Sequence, residues 1–264
     1  MTEKPLNNRP YKRFTPLPQE RTDNKEMVFG IQSVIETLRA GKEIDKLLVQ
    51  RDLNLDEVQR LANEMEVPIQ RVPVEKLNRV TRKNHQGVIA FVSAINYATV
   101  HNVLSGAYEK GQTPLLLLLD RITDVRNFGG IARTAECAGV QGIVVPMRGG
   151  AQINADAMKT SSGALNYLPV CRERNLSETL RYLQDSGVKV VVCTEKAEKQ
   201  IYDVDLTGPT AIVMGSEEDG ISTELIRYAD EMVKIPMNGK IESLNVSVAT
   251  GVVLYEVVRQ RVQA

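Results

Sequence analysis

The apolar residues of this chain follow two patterns, and the change between them divides it. From residue 113 onward, short unbroken apolar runs alternate with segments of helical period. The runs are Leu115–Leu119, Gly142–Val145, Val188–Cys193, Ala211–Met214 and Met232–Ile235. Unbroken runs of this length suit strands buried on both faces of a parallel sheet. Between them, Ile131–Ala138 and Leu176–Leu183 repeat at helical spacing, and a last helix is predicted from near Leu244 to about Val262. The alternation predicts an α/β domain over residues 113–264 built on a parallel sheet.

Residues 27–93 predict a smaller α/β unit. Ile31, Val34, Ile35 and Leu38 mark a helix ended by Gly41, and Val58, Leu61, Ala62 and Met65 mark a second. Lys46–Gln50, Pro68–Val72 and Val88–Val92 read as strands. Residues 94–112, with weaker periodicity plus Gly106 and Gly111, are expected to form a linker. Residues 1–26 carry Pro5, Pro10, Pro16 and Pro18 among Lys4, Arg9, Lys12, Arg13, Arg21 and Lys25. Apolar residues are too sparse there to offset ordering entropy, so a flexible basic tail is expected, either solvated or laid on RNA phosphates.

Composition narrows the class. The 264 residues are 42% hydrophobic and 25% charged, which excludes a wholly disordered chain, a collagen and a coiled coil. Lys+Arg and Asp+Glu are both 33, so any nucleic-acid surface must come from local clustering. Cys137, Cys171 and Cys193 are scattered, and His85 and His101 are the only histidines. Neither a disulfide framework nor a metal site is expected, and a reducing cytoplasm is the expected compartment. No apolar run approaches the roughly 18 residues of a membrane span, and the polar N-terminus lacks a signal-peptide core.

Three segments near strand ends concentrate unusual chemistry, where open α/β sheets gather ligands. In Asp120–Gly139, Asn127 is a candidate helix cap, Gly129 and Gly130 permit close backbone approach, and Arg133 lies near the positive end of a helix dipole. A cation gains nothing from that position, so Arg133 is either a surface residue or has another partner. In Met214–Gly220, a strand runs into a glycine turn holding Glu217, Glu218 and Asp219; this is either a solvated turn or a ligand loop. In Ile235–Gly251, Ser243 and Asn245 bracket Leu244 before an apolar helix, which also suits an N-cap cluster. The dinucleotide fingerprint GxGxxG is absent after the first strand.

Taken in order, NFGGIARTAECAGV, VMGSEEDGIS and IPMNGKIESLNVSVATGVVLYEVVRQR resemble the SpoU/TrmH family of RNA ribose 2′-O-methyltransferases. The resemblance is close over 113–264 and weaker over 27–93, and within the family it is nearest to the bacterial enzymes that methylate a guanosine of 23S rRNA. It implies S-adenosylmethionine (SAM) as methyl donor, a deep trefoil knot in the C-terminal parallel sheet, an L30e-like RNA-binding fold over 27–93, and a homodimer through the knotted domain. It implies that Gly215, Ile235 and Leu244 contact the cofactor, with Met214, Met237 and Ser243 lining the same pocket. It implies catalytic positions at Asn127, Arg133, Glu217 and Asn245, with Arg133 gripping a phosphate and stabilising a developing alkoxide. Lys83, Asn84, His85 and Gln86 suit either RNA contact or an ordinary turn. The chain departs from the family at Val125-Arg126, where Pro-His is expected, and in its longer tail. Alternatives within the resemblance are a tRNA 2′-O-methyltransferase and a resistance-conferring rRNA methylase; outside it stands a catalytically silent RNA-binding or ribosome-assembly protein.

Overall fold

A computed structural model describes residues 27–241 and 243–264, so the expected basic tail lies outside the described residues. The first unit comprises β1 (Met27–Phe29), α1 (Ile31–Arg39), β2 (Ile44–Gln50), α2 (Asp56–Glu64), β3 (Ile69–Val72), α3 (Val74–Val80) and β4 (Val88–Val92). Its four strands run in the order β1-β4-β2-β3, with β2 and β3 parallel and β4 antiparallel to both its neighbours. Val34 and Leu38 of α1, Val58 and Leu61 of α2, and Leu47, Val49 and Val88 of the sheet form one core. Leu48, Ile89 and Leu77 form a smaller one on the opposite face.

The second unit comprises α4 (Val100–Glu109), β5 (Leu115–Asp120), α5 (Val125–Cys137), β6 (Gly142–Pro146), α6 (Ala155–Thr160), β7 (Val170–Glu173), α7 (Leu176–Asp185), β8 (Lys189–Cys193), β9 (Lys199–Gln200), β10 (Thr210–Gly215), α8 (Thr223–Ile226), β11 (Glu231–Lys234) and α9 (Val246–Gln263). Its seven strands form a parallel sheet in the order β7-β6-β5-β10-β8-β11-β9. The alternation of side chains along a strand explains the unbroken apolar runs. Leu115, Leu117 and Leu119 point into a core covered by α5 and α9, while Leu116 and Leu118 point into a second core with α4 and α7.

The segment expected as a linker is corrected by α4. Thr99 caps it by accepting from the Asn102 backbone N–H at 3.2 Å, and Val100, Leu104 and Ala107 are buried. Spacing at i, i+4 and i+7 carries the signal, and Gly106 obscures it; one glycine in a helix costs only about 1 kcal/mol, which packing on the sheet offsets. Short elements that the sequence pattern did not reveal include β1, α3, α6, β7 and β9. The polar turn before β4 is structural. The His85 ring receives the Gly87 N–H at 3.0 Å and meets Asn78 at 2.9 Å, and Gln86 accepts from the Ile31 N–H at 2.9 Å.

Asp45, Tyr97 and Arg172 join the two units, with an ion pair from Arg174 to Glu66 at 2.8 Å beside them. Asp45 on β2 accepts from the Tyr97 hydroxyl at 2.6 Å and the Ile153 N–H at 3.2 Å. Arg172 on β7 donates to the Ile44 carbonyl at 2.9 Å while its guanidinium lies 4.2 Å from the Tyr97 ring centroid. Burial pushes the Asp45 carboxyl up and the Tyr97 hydroxyl up, and Arg172 opposes both shifts.

Candidate active site

Loops at the carboxyl ends of β5, β10 and β11 converge on one carboxylate. Glu217 follows β10, and its Oε1 accepts from Asn245 Nδ2 at 2.7 Å, Asn127 Nδ2 at 3.1 Å and the Val246 backbone N–H at 3.2 Å. Asn245 Nδ2 also donates to Asn127 Oδ1 at 3.0 Å, which closes the three side chains into a ring. The carboxylate thereby sits against the first turn of the 18-residue α9, where exposed N–H groups and the helix dipole favour negative charge.

The local sequence explains why these side chains are available. Asn127 was expected to cap α5, but Asp124 does so, accepting the Asn127 N–H at 2.7 Å. The Asn127 side chain is therefore free to reach Glu217. Asn245, rather than Ser243, caps α9 through the Ser247 N–H at 3.0 Å. One asparagine therefore both starts the helix and orients the carboxylate.

A cavity of about 730 Å³ opens on one side of the ring. All six positions singled out for a cofactor line it: Met214, Gly215, Ile235, Met237, Ser243 and Leu244. Glu217 and Asn245 line it too. The volume lies in the ordinary range of small-molecule sites. Gly215 is required here by close approach: a Cβ would collide with the backbone of Gly220 and Ile221, because the loop folds back and Ser216 pairs with Gly220 in both directions, at 3.2 and 3.0 Å. Met237 and Leu244 are large apolar side chains left exposed at this cavity.

The sequence reading missed the contribution of Thr194, Glu195 and Lys196 to the same cavity. They follow β8, so the general rule about carboxyl ends of strands was the signal available for them. Cys193 also lines the cavity, but burial pushes its thiol up to about 12, so it carries no thiolate at neutral pH.

A second cavity of about 380 Å³ lies beyond the ring, lined by Arg121, Thr123, Asn127 and Gly149 among others. Ser216, Glu217, Glu218, Asp219 and Val246 line both cavities, so the loop that carries the Glu217 carboxylate forms their common wall. Arg121, also missed, holds this wall in place. It has φ +59°, a left-handed conformation uncommon for a side chain of this size. Its guanidinium donates to Asp120, Asp219 and the Gly220 carbonyl, each at 3.2 Å. Asp120 also accepts the Ser222 N–H at 2.7 Å, tying β5 to both ends of the Glu217 loop.

Arg133 is not brought to this site. It is exposed on α5, lines neither cavity, and its side chain makes no hydrogen bond or ion pair among the described residues. Among the described residues, no group of three or more His, Cys, Asp or Glu side chains is placed to hold a metal ion, and no helix is long and apolar enough to cross a membrane.

A parallel sheet with a ligand-sized cavity at its carboxyl edge, walled by a fixed carboxylate and preceded by a small α/β unit, defines the class as an α/β protein with a small-molecule site. Residues 114–255 match the SpoU rRNA Methylase family, and residues 27–98 match the RNA 2′-O ribose methyltransferase substrate binding family. The chain belongs to the SpoU family and is an RNA methyltransferase of that family. It is 37% identical over 239 residues to a putative TrmH family tRNA/rRNA methyltransferase, YacO, of Bacillus subtilis, covering 89% of this chain and 96% of that one. It is 38% identical over 243 residues to the 23S rRNA (guanosine-2′-O-)-methyltransferase RlmB of Photobacterium profundum, covering 90% and 99%. The fold matches the SpoU methyltransferase AviRb of Streptomyces viridochromogenes in complex with its cofactor AdoMet, with a TM-score of 0.58, 25% identity, and coverage of 90% and 91%.

Proposed function

We propose that this protein transfers a methyl group from SAM to the ribose 2′-hydroxyl of a guanosine in 23S rRNA, working in the cytoplasm as a homodimer. The observation that carries the reading is the shared wall: Glu217, held by Asn127 and Asn245, separates a cofactor-sized cavity from a second cavity open to a substrate. The larger cavity fits SAM. Gly215 removes the side chain that would block the backbone, Ile235, Met214 and Leu244 offer apolar surface, and Glu195 offers a carboxylate suited to a cationic ligand. SAM, when bound, supplies an electrophilic methyl group on a sulfonium.

The residues of this chain then do the positioning. Asn127 and Asn245 fix Glu217 Oε1 with directed bonds, so Oε1 is committed as an acceptor and Oε2 is the oxygen left to meet a ribose. Alignment of acceptor oxygen and methyl carbon can supply up to ~7–11 kcal/mol of barrier reduction, and a fixed wall between donor and acceptor serves that purpose. Arg133 would grip a phosphate beside the target ribose and stabilise the developing alkoxide. A guanidinium carries five N–H donors and no acceptor, which makes it a poor general base and a good clamp.

Since Arg133 is exposed and lines neither cavity of its own chain, we read it as serving the pocket of a partner subunit. Support comes from the pair α5 and α9, which pack on each other and carry Arg133, Val248 and Tyr255 on exposed surface. The trefoil threading belongs to the same reading and rests on the family likeness. The guanosine of 23S rRNA is favoured by the likeness to the P. profundum enzyme over nearly its whole length.

The test is to map 2′-O-methylation across rRNA and tRNA in cells with and without the gene. Loss of one guanosine methyl in 23S rRNA is the expected outcome. Loss confined to tRNA overturns the substrate, and no change in either overturns the activity.

A further inference from the structure

Three depressions on the surface share one loop. Residues 147–154 connect β6 to α6. Gly149 lines the cavity on the acceptor side of Glu217. Arg148 and Gly149 also line a cavity of about 400 Å³ between the two units, together with Lys46 and Gln70 from the small unit. Arg148 lines a third, of about 450 Å³, against Asn63 and Pro68 of the small unit. One loop therefore floors a path from the catalytic wall to the small unit.

The loop is built with its ends held and its middle uncommitted. At one end the Met147 N–H donates to the Glu173 carbonyl at 2.7 Å; at the other the Ile153 N–H donates to Asp45 at 3.2 Å. Between them, the N–H groups of Arg148 to Gln152 donate no hydrogen bond among the described residues. The Arg148 guanidinium is exposed and likewise has no hydrogen bond or ion pair among them, and the Gln70 and Gln152 amides make none. The other cations at the cleft are already engaged: Arg172 with the Ile44 carbonyl and the Tyr97 ring, and Lys46 over the Phe91 ring at 5.1 Å. Gly149 has φ +81°, and a Cβ on Gly150 would press the Pro146 carbonyl at 3.3 Å, so the floor carries no side chain at either position.

We propose that this cleft binds the single-stranded RNA next to the methylated nucleotide, with the Arg148 guanidinium on a flanking phosphate and Gln70 and Gln152 on base edges. The inference rests on the RNA-methyltransferase reading above and adds the route by which the substrate reaches it. A backbone phosphate matches an unpaired guanidinium beside a run of free N–H groups. Amides offer both donor and acceptor, which base edges need, and a cavity of about 400 Å³ admits a nucleotide but not a duplex.

The experiment measures binding of a fluorescein-labelled 12-nucleotide single-stranded RNA and of a 12-base-pair RNA duplex by anisotropy across a salt series. It uses the full chain with SAM-binding calorimetry in parallel. The single strand is expected to bind more tightly than the duplex. Arg148→Ala should weaken it about 5–10-fold and flatten the slope of log K against log salt by about 0.7, the single-strand value for one phosphate. Arg148→Lys should restore the slope, SAM affinity should not change, and Lys110→Ala, a loss of charge elsewhere on the surface, should have no such effect. With 23S rRNA transcript as substrate, Arg148→Ala should raise KM and leave kcat at saturation unchanged. Equal affinity and slope for wild type and Arg148→Ala, or a loss equally large in Lys110→Ala, overturns the proposal. Binding that depends on Arg148 in a chain that transfers no methyl group would instead overturn the activity and leave the cleft standing.

Discussion

The two sides of the Glu217 wall are built from different materials. The cofactor side turns on a main-chain contact, Gly215 packed against Gly220, with apolar Ile235 and Leu244 and charged Glu195 and Lys196 around it. The acceptor side is shaped by polar side chains: Asn127, Arg121 and Asp124, each held by directed bonds. Main-chain shape tolerates little change, because backbone cannot move aside cheaply. Side-chain networks can lose a member and keep their shape while losing function. Substitutions on the first side should therefore act through binding and folding, and those on the second through turnover.

The largest effect expected is at Gly215. Gly215→Ala drives a methyl into the backbone of Gly220 and Ile221. SAM affinity should fall by 100-fold or more in calorimetry, with a lowered Tm; unchanged binding would show that the loop relaxes and that the contrast is misplaced. Next comes Glu217→Ala, which removes the acceptor for Asn127, Asn245 and the Val246 N–H. kcat should drop ~10²–10³-fold, the scale for losing one preorganised electrostatic group, while the SAM Kd moves less than about threefold. Mixing this variant with Arg133→Ala sharpens the comparison: activity should return on mixing if the arginine crosses between subunits, and stay lost if each pocket uses its own.

Asn245→Ala straddles both materials, since it removes a helix cap as well as a ring member. Loss of the cap should cost ~1–2 kcal/mol, seen as several degrees of Tm, in addition to a fall in kcat. The smallest effect is expected at the far end of α9, outside both walls. The Glu256 carboxyl is held below its ordinary range by hydrogen bonds from Arg259, its largest cause, and from Gln260. A lowered acid contributes stability above its unfolded pKa and loses it as pH falls through the folded value. Wild type should therefore lose slightly more Tm than Glu256→Gln between pH 5 and pH 3, with activity at neutral pH equal in the two.

The contrast also explains what was legible in the sequence. The buried strands β5 and β10 and the helix α9 announce themselves through composition, since burial on two faces leaves little choice of residue. The cofactor positions followed from motif resemblance, and all six meet in one cavity. Asn127, Glu217 and Asn245 were named, but their ring was not, because the partner of a polar side chain depends on which neighbour takes the capping role; Asp124 took it at α5. Arg121 and Arg148 were missed because a single arginine in a loop carries no periodic signal. Helix α4 was missed because Gly106 interrupts a short apolar pattern whose burial comes from the sheet beneath it.

The central ladder of the large sheet pairs Leu115 with Thr210 and Asp120 with Gly215, and the ring then adds Asn245 to Asn127. Contacts so distant along the chain form slowly, because loop closure must precede any reward. During synthesis, β5 must wait unpaired on its β10 side until Gly215 has emerged, and the ring at Glu217 cannot close before α9 begins. A nascent chain of this protein thus lacks the Asn127–Glu217–Asn245 ring until α9 has started to emerge.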